Sequence, residues 1–470
     1  MKNTRKEFLK MSGLAGTGLF TLSNCSSGSS SDSADSRPLE REQIFNMHGY
    51  AAPAIDLVRV GIIGMGNRGN GAVSRLNHIE GVDVRAICDV EESAIREAED
   101  RMSRIEAMRF SPDTYIGEEE WKRVCDRDDL DLILVCTPWH LHAPMCVYSM
   151  ESGKHVATEI PAAITLEECF QLVETSERTR KHCYQMTNMC YSFFEMVTLN
   201  MARDGFFGDL IHGEGAYIHQ LMRHNFDVDE YHDMWRLREN SKRNGNLYPH
   251  HGLGMVALAM NINHGDRLDY MVSMSSNDFM MQDRARELAR EEPFFEEFAE
   301  RSFRGNMNVS MLRTVQGRTI MLQHDVTSPR PYSRIHLISG TEGIARGFPE
   351  ERIANSHDGW LPEEEHQAVV ERYTPEITRR VGEMSEQIGG HGGADTMMLW
   401  RLVDSLRAGH PLDLTVYDAA SWSSIIPLSE WSVANRSNPA DIPDFTGGTW
   451  SSNRPVMDVN LERVGDTRLV

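Results

Sequence analysis

With 470 residues, 40% of them hydrophobic, the chain carries enough apolar material for two ordinary domains and a substantial buried core. Its formal net charge of -22 at pH 7 excludes a nucleic-acid partner held through the phosphate backbone, because such binding draws its affinity from clustered Lys and Arg. Small neutral molecules suit that charge better.

In chain order, residues 1–25, "MKNTRKEFLKMSGLAGTGLFTLSNC", read as a targeting segment: Arg5 and Lys6 precede an apolar run from Met11 to Leu22 that is too short to span a bilayer. "TRKEFLK" resembles a twin-arginine export signal and "LSNC" a lipoprotein box, so Cys25 is a candidate for lipidation and membrane anchoring. A serine-rich linker is expected over residues 26–55. The expectation is an exported bacterial protein, periplasmic or membrane-anchored; a disordered cytoplasmic leader is the alternative. Cys88, Cys125, Cys136, Cys146, Cys169, Cys183 and Cys190 lack zinc or disulfide-framework spacing, so buried thiols and no metal site are expected.

Folding is expected to begin near Asp56. "LVRVGIIG" (Leu57 to Gly64) is a β-branched run ending in glycine, the pattern of a buried parallel strand. Gly64-x-Gly66-x-x-Gly69 follows: the first glycine permits a tight turn, the second lets backbone approach a pyrophosphate, and the third lets the next helix pack closely. The strand "VDVRAICD" ends in Asp89, about twenty positions on, where a carboxylate binds adenosine ribose hydroxyls and repels a 2'-phosphate. NAD is therefore expected over NADP.

The alternation continues with a strand at Leu130 to Pro138, a helix from about Pro144 to Ser152, a strand at Lys154 to Pro161, a helix at Leu166 to Lys181, and "HCYQMTN" up to Asn188. The fold class is α/β: a Rossmann-type doubly wound parallel sheet over residues 56–188. Residues 189–470 are expected to form an α+β substrate domain. Its strands at Leu210 to Gln220, Tyr270 to Ser276, Met307 to Val315, Thr319 to Asp325 and Ser333 to Gly340 alternate or run apolar, which predicts a largely antiparallel sheet. The acidic run Glu291 to Glu300 reads as a solvated helix face. Helices are expected at Asp395 to Ala408 and Tyr417 to Val433, one of them bracing the first domain.

The glycine loop, Asp89, "CTPWHLHA" (Cys136 to Ala143), "GKHVATEIP" and "GGHGGAD" (Gly389 to Asp395) resemble the glucose-fructose oxidoreductase family over essentially the whole chain after residue 56. Dehydrogenases of that family end the relevant strand Glu-Lys-Pro, with a proton-transferring lysine; here it reads Glu159-Ile160-Pro161, and isoleucine cannot move a proton. With "GEGAYIHQ", "NLYPHHGLG", "SPRPYSR" and "NRSNPADIPDFTGGTW", this departure resembles one branch, glycoside hydrolase family 109.

That resemblance implies an NAD-dependent α-N-acetylgalactosaminidase acting on glycans with a terminal N-acetylgalactosamine. The implied chemistry is transient oxidation at the sugar C3, elimination, addition of water and re-reduction, an exception to the two-carboxylate rule for glycosidases. It also implies a cofactor set of Gly64, Gly66, Asn67, Arg68, Gly69, Asp89, Trp139, His140, Leu141, His142, Glu159, Ile160, Asn188, Arg236 and Tyr248. Tyr217, Tyr248, Pro249, His250, His251 and Tyr332 fall where the sugar should lie, with His251 and Tyr248 the catalytic candidates for proton transfer.

Plainer readings stand beside these. His140 and His142 could ligate a metal, "YPHH" could be a helix start with solvated histidines, Tyr217 could be sheet packing, and Asp395 could cap a helix. A sugar oxidoreductase of the same fold, which would accumulate NADH, and a non-catalytic surface sugar-binding protein, which would need no nucleotide, remain as other functions. A homo-oligomer is compatible with all of them.

Overall fold

The computed structural model describes residues 41–470, so the expected leader, Cys25 and the serine-rich stretch lie outside it. Six parallel strands form the first sheet in the order β3-β2-β1-β4-β5-β6. They are β1 (Val58–Ile63), β2 (Val82–Asp89), β3 (Asp113–Ile116), β4 (Leu132–Val135), β5 (His155–Thr158) and β6 (Cys183–Gln185). Every residue of β4 is buried because both faces are covered. Leu132 and Leu134 enter one core with the helices Asn67–Leu76 and Glu92–Ser103; Ile133 and Val135 enter the other with Trp139–Glu151 and Leu166–Thr179. The strand order reverses between β1 and β4, and the crevice at their carboxyl ends is where such sheets take ligands.

The second sheet has eight strands in the order β13-β12-β11-β7-β10-β9-β8-β14. They are β7 (Leu210–Ile218), β8 (Leu268–Ser275), β9 (Met307–Thr314), β10 (Thr319–Asp325), β11 (Leu337–Gly340), β12 (Ile344–Arg346), β13 (Arg352–Ala354) and β14 (Ala440–Asp441). β7 and β10 pair parallel; the other neighbours are antiparallel. The helix His250–Ala259 packs on β7 so closely that a Cβ on Gly215 would lie 2.0 Å from the Gly252 carbonyl oxygen.

Later segments return to the first domain on both faces. The helix Ala394–Ala408 adds Trp400, Leu402, Val403 and Leu406 to the core holding β1, and Val416–Ser423 adds Val416, Tyr417, Ala419 and Ala420 to the opposite core. The single helix expected at Tyr417 to Val433 is two, broken between Ser423 and Ile425.

Other expectations need correction. The helix expected near Pro144 starts at Trp139. Proline favours the first helical position, but here Pro144 forfeits its own bond inside a helix whose first turn buries Trp139 and His142. Residues 41–55, assigned to the linker, lie against the body: the Arg41 guanidinium pairs with buried Glu177, and Gln43 and the Met47 N–H donate to Tyr417 Oη at 2.8 and 3.0 Å. The polar stretch ends at Ser36, and the residues beyond Arg41 have partners that a tether lacks. The acidic run does present a solvated face as expected, its glutamates pointing outward while Phe295 and Phe298 are buried.

Candidate active site

Backbone geometry explains the glycine loop. Gly64 has φ +92°, and a Cβ there would lie 2.6 Å from the Cys136 carbonyl oxygen; one on Gly69 would lie 2.0 Å from the Gly64 oxygen. Gly66 differs: a Cβ there meets nothing within 4 Å, so its backbone faces an open cleft at the start of the helix Asn67–Leu76. That cradle, with first-turn N–H groups pointing into it, fits a pyrophosphate. Asp89 stands at the end of β2, its carboxylate accepting the Met65 N–H at 2.7 Å and the Glu91 N–H at 3.0 Å. An anionic group fixed there suits the free hydroxyls of NAD and opposes a 2'-phosphate.

Next to the loop lies a half-buried ion cluster centred on the buried carboxylate of Asp395. Arg68 donates from Nε to Glu159 at 2.6 Å and from both terminal nitrogens to Asp395 at 3.2 and 3.1 Å. Asp395 also pairs with Arg75 at 3.2 Å, accepts from Asn188 Nδ2 at 2.7 Å and meets His391 Nδ1 at 2.8 Å. Burial pushes the Glu159 carboxyl up against the pull of Arg68, whereas His391, Arg68 and Arg75 hold Asp395 far below the usual carboxylate range despite its burial. Asn67 reaches across to Glu230 at 3.4 Å, and Ile160 is buried.

The "WHLH" segment splits. Trp139 and His142 are buried, Leu141 is half-buried and His140 is exposed. The His142 ring nitrogens lie 2.6 Å from the Pro161 oxygen and 2.7 Å from the Thr137 oxygen, so this ring braces the strand ends and faces away from His140's solvent side. The pair does not converge on a common point for a metal.

From the second domain come the rings. β7 places Tyr217, the turn before the helix His250–Ala259 places Tyr248, and that helix's first turn places His251. Tyr217 lies 4.7 Å from Tyr248 and 5.3 Å from His251, and Tyr248 lies 5.1 Å from His251, centroid to centroid. Trp139 stacks on Tyr248 at 5.8 Å, which joins this wall to the first domain. The Arg236 guanidinium sits 5.4 Å from the Trp139 ring centre and 5.3 Å from that of Tyr248, and donates to Tyr231 Oη at 3.2 Å.

The electrostatics favour neutral proton carriers. Burial, reinforced by Arg334 and His391, drives the His251 imidazole well below its ordinary value, and its Nδ1 is buried with no hydrogen-bond partner. Burial pushes Tyr217 up to about 12 and raises Tyr248 further, so both phenols keep their protons. Tyr217 Oη lies 2.9 Å from His219 Nδ1. At the rim, Tyr332 is 39% exposed and its Oη accepts from Arg334 at 3.1 Å, while Arg334 is paired with Glu195.

One expected sugar contact is aimed elsewhere. His250 is fully buried with Nε2 3.2 Å from Ser423 Oγ, aimed at the helix behind the site, because adjacent helix positions project in different directions. Pro249 starts that helix with a helical backbone. Asp395 is no helix cap: Gly393 holds the cap position with no side-chain bond, and the Asp395 carboxylate goes to the arginines.

Sequence reasoning also missed Arg75, His391, Arg334 and Glu195. "GGHGGAD" was the available signal, since Gly389, Gly390, His391, Gly392 and Gly393 all have positive φ, a run that only a glycine-rich stretch sustains. Nothing comparable marks Arg75 or Glu195, whose partners are remote in the chain.

Comparison with known proteins agrees with this geometry. Residues 58–187 match the model of the oxidoreductase family NAD-binding Rossmann fold, and residues 191–452 match the glycosyl hydrolase 109 C-terminal domain. A glycosyl hydrolase family 109 protein of a Shewanella species is 44% identical over 459 residues, 96% of this chain and 98% of that one. A protein of Shewanella oneidensis named alpha-N-acetylgalactosaminidase is 43% identical over the same shares. Among solved structures, an oxidoreductase domain protein from Kribbella flavida superposes with TM-score 0.62 at 17% identity, covering 83% of this chain and 100% of that one. A levoglucosan dehydrogenase in complex with NADH and levoglucosan gives TM-score 0.61 at 17% identity, covering 82% and 100%. Together with the open glycine cradle and the aromatic wall facing it, these matches establish that the chain belongs to glycoside hydrolase family 109, as an NAD-binding glycosidase.

Proposed function

We propose that the enzyme hydrolyses terminal α-N-acetylgalactosaminides, with the sugar ring seated against Tyr217, Tyr248 and His251. The observation that carries this reading is the state of the acids and bases at the site. Glu159, Asp395 and Glu195 are each paired with an arginine, while His251 presents an unpartnered neutral nitrogen. A glycosidase using two carboxylates needs one free as acid and one as base or nucleophile, which these pairings oppose. The name of the Shewanella oneidensis relative supports the choice of sugar.

When bound, NAD supplies a hydride acceptor that also returns the hydride, so net hydrolysis needs no outside oxidant. Gly64, Gly66 and Gly69 would shape its seat, and Asn67, Arg68, Asp89, Glu159, Asn188 and Arg236 would supply its side-chain contacts. The protein's own part is positional and protonic. Neutral His251 accepts a proton from the sugar, Tyr248 donates a hydrogen bond beside it, and Trp139 and Tyr248 keep bulk water from the ring face. Ile160 adds apolar lining where a lysine would add a proton carrier.

The test is release of a chromogenic leaving group from an α-N-acetylgalactosaminide by enzyme stripped of NAD and then reloaded. Release that returns with NAD, while reduced-nicotinamide absorbance stays flat through many turnovers, is expected. Release indifferent to stripping, or NADH rising in step with turnover, overturns the reading; the second outcome is that of a sugar oxidoreductase. We also propose that the leader exports the folded, NAD-loaded protein. A reporter fused to residues 1–40 that stays in the cytoplasm would refute that route.

A further inference from the structure

The carboxylate of Asp395 is 1% exposed and receives four side chains from three separate parts of the chain. Arg68 and Arg75 come from the helix that follows the glycine loop, Asn188 from the turn after β6, and His391 from the left-handed run that precedes Asp395 itself. The fit is tight: a Cβ on Gly390 would lie 2.4 Å from Arg75 Nε and 2.7 Å from Asp395 Oδ2. The Asp395 N–H also donates to the Gly390 carbonyl oxygen at 3.2 Å.

Arg68 is the side chain most constrained by this arrangement. It follows the open backbone at Gly66, and its planar fork is held on one edge by Glu159 and on the other by both oxygens of Asp395. A guanidinium gripped on two edges has one orientation; released from one, it can turn about its long stem. We propose that Asp395 is a positioning residue for the cofactor end of the site, fixing Arg68 and Asn188, and through Arg68 also Glu159, without touching the sugar. Two arginines balance two carboxylates in the cluster, so removing the charge of Asp395 leaves Arg68 and Arg75 competing for Glu159.

The proposal rests on the NAD-cycling reading for its kinetic readout alone; retention of NAD tests it separately. In full-length Asp395→Asn, bound NAD measured after desalting is expected to fall at least about tenfold. At saturating NAD, kcat on the chromogenic glycoside is expected to fall about 100-fold while its KM moves less than about threefold, the pattern of lost orientation rather than lost sugar contact. Arg68→Lys, at a side chain 32% exposed, removes the bridge without opening the buried centre and is expected to give the same split even where the first variant folds poorly. The double variant is expected to lose no more than the worse single one. Full NAD retention with kcat within about threefold in either single variant, or losses that multiply in the double, would overturn the proposal. Loss of NAD retention without any glycoside release in the parent enzyme would leave Asp395 in place and refute the substrate reading instead.

Discussion

Mild acid should destabilise this protein steeply, through histidines that the fold keeps neutral. Burial lowers His155 and His250 to about 3 and drives His182, His251 and His324 well below their ordinary value. A histidine depressed in the fold binds fewer protons there than in the unfolded chain, so its contribution is full above the unfolded value and is lost as pH falls toward the folded one. With an unfolded pKa of about 6.5, moving from about pH 8 to about pH 5.5 costs ~1.4 kcal/mol for each such histidine. Five together lose about 7 kcal/mol, a large share of the roughly 5–15 kcal/mol that holds a typical fold. His142, His219 and His336, also lowered by burial, act in the same direction. Asp395 and Glu195 lose their contribution only at lower pH, because their ordinary values already lie below this window. Glu159 opposes the trend, its carboxyl being raised by burial. The assay is the urea midpoint, followed by tryptophan fluorescence, across this range, with His155→Gln alongside to remove one titrating ring. A stability change under about 2 kcal/mol, or an unchanged pH slope in the variant, would mean that these rings are charged in the fold and would refute the reasoning.

On the role proposed for His251 as base, His251→Ala should lower kcat by about 10²- to 10⁴-fold while NAD retention stays at the parent level, measured by turnover and cofactor content on one preparation. Gly69→Ala puts a methyl 2.0 Å from the Gly64 oxygen, so NAD affinity by titration and the melting temperature should both fall. Glu177→Gln leaves the Arg41 guanidinium, whose side chain is 8% exposed, without its counter-charge and should cost about 3 kcal/mol in denaturant unfolding.

The parallel sheet was legible because each of its long strands is a run of β-branched residues bounded by turn signals, and "VDVRAICD" gave β2 with both ends correct. β3, β12 and β13 were not, since "DTYI", "IAR" and "RIA" lack the apolar run that marks the equally short β4, "LILV". In the site, the glycine loop and Asp89 declare themselves through backbone geometry, which sequence encodes locally. Tyr217, Tyr248 and His251 stood out through the family resemblance, and the fold brings their rings together. Asp395 was misjudged because a helix start looks like a capping site, and nothing local reveals that Arg68, 327 positions earlier, lies against it. His250 and His251 are adjacent letters, yet the helix turns one toward the rings and the other toward Ser423.

The return of the later segments has a consequence for biosynthesis. β1 is bonded through its flanking turn to the helix Ala394–Ala408, where the Ile55 N–H donates to the Leu406 oxygen at 3.1 Å. Ile79, just before β2, pairs with Leu469. A ribosome that has finished the nucleotide-binding half has therefore not yet made the helices that cover it, and hundreds of codons separate the glycine loop from Asp395. The packing that braces the first domain is therefore complete only when the last segments have been translated.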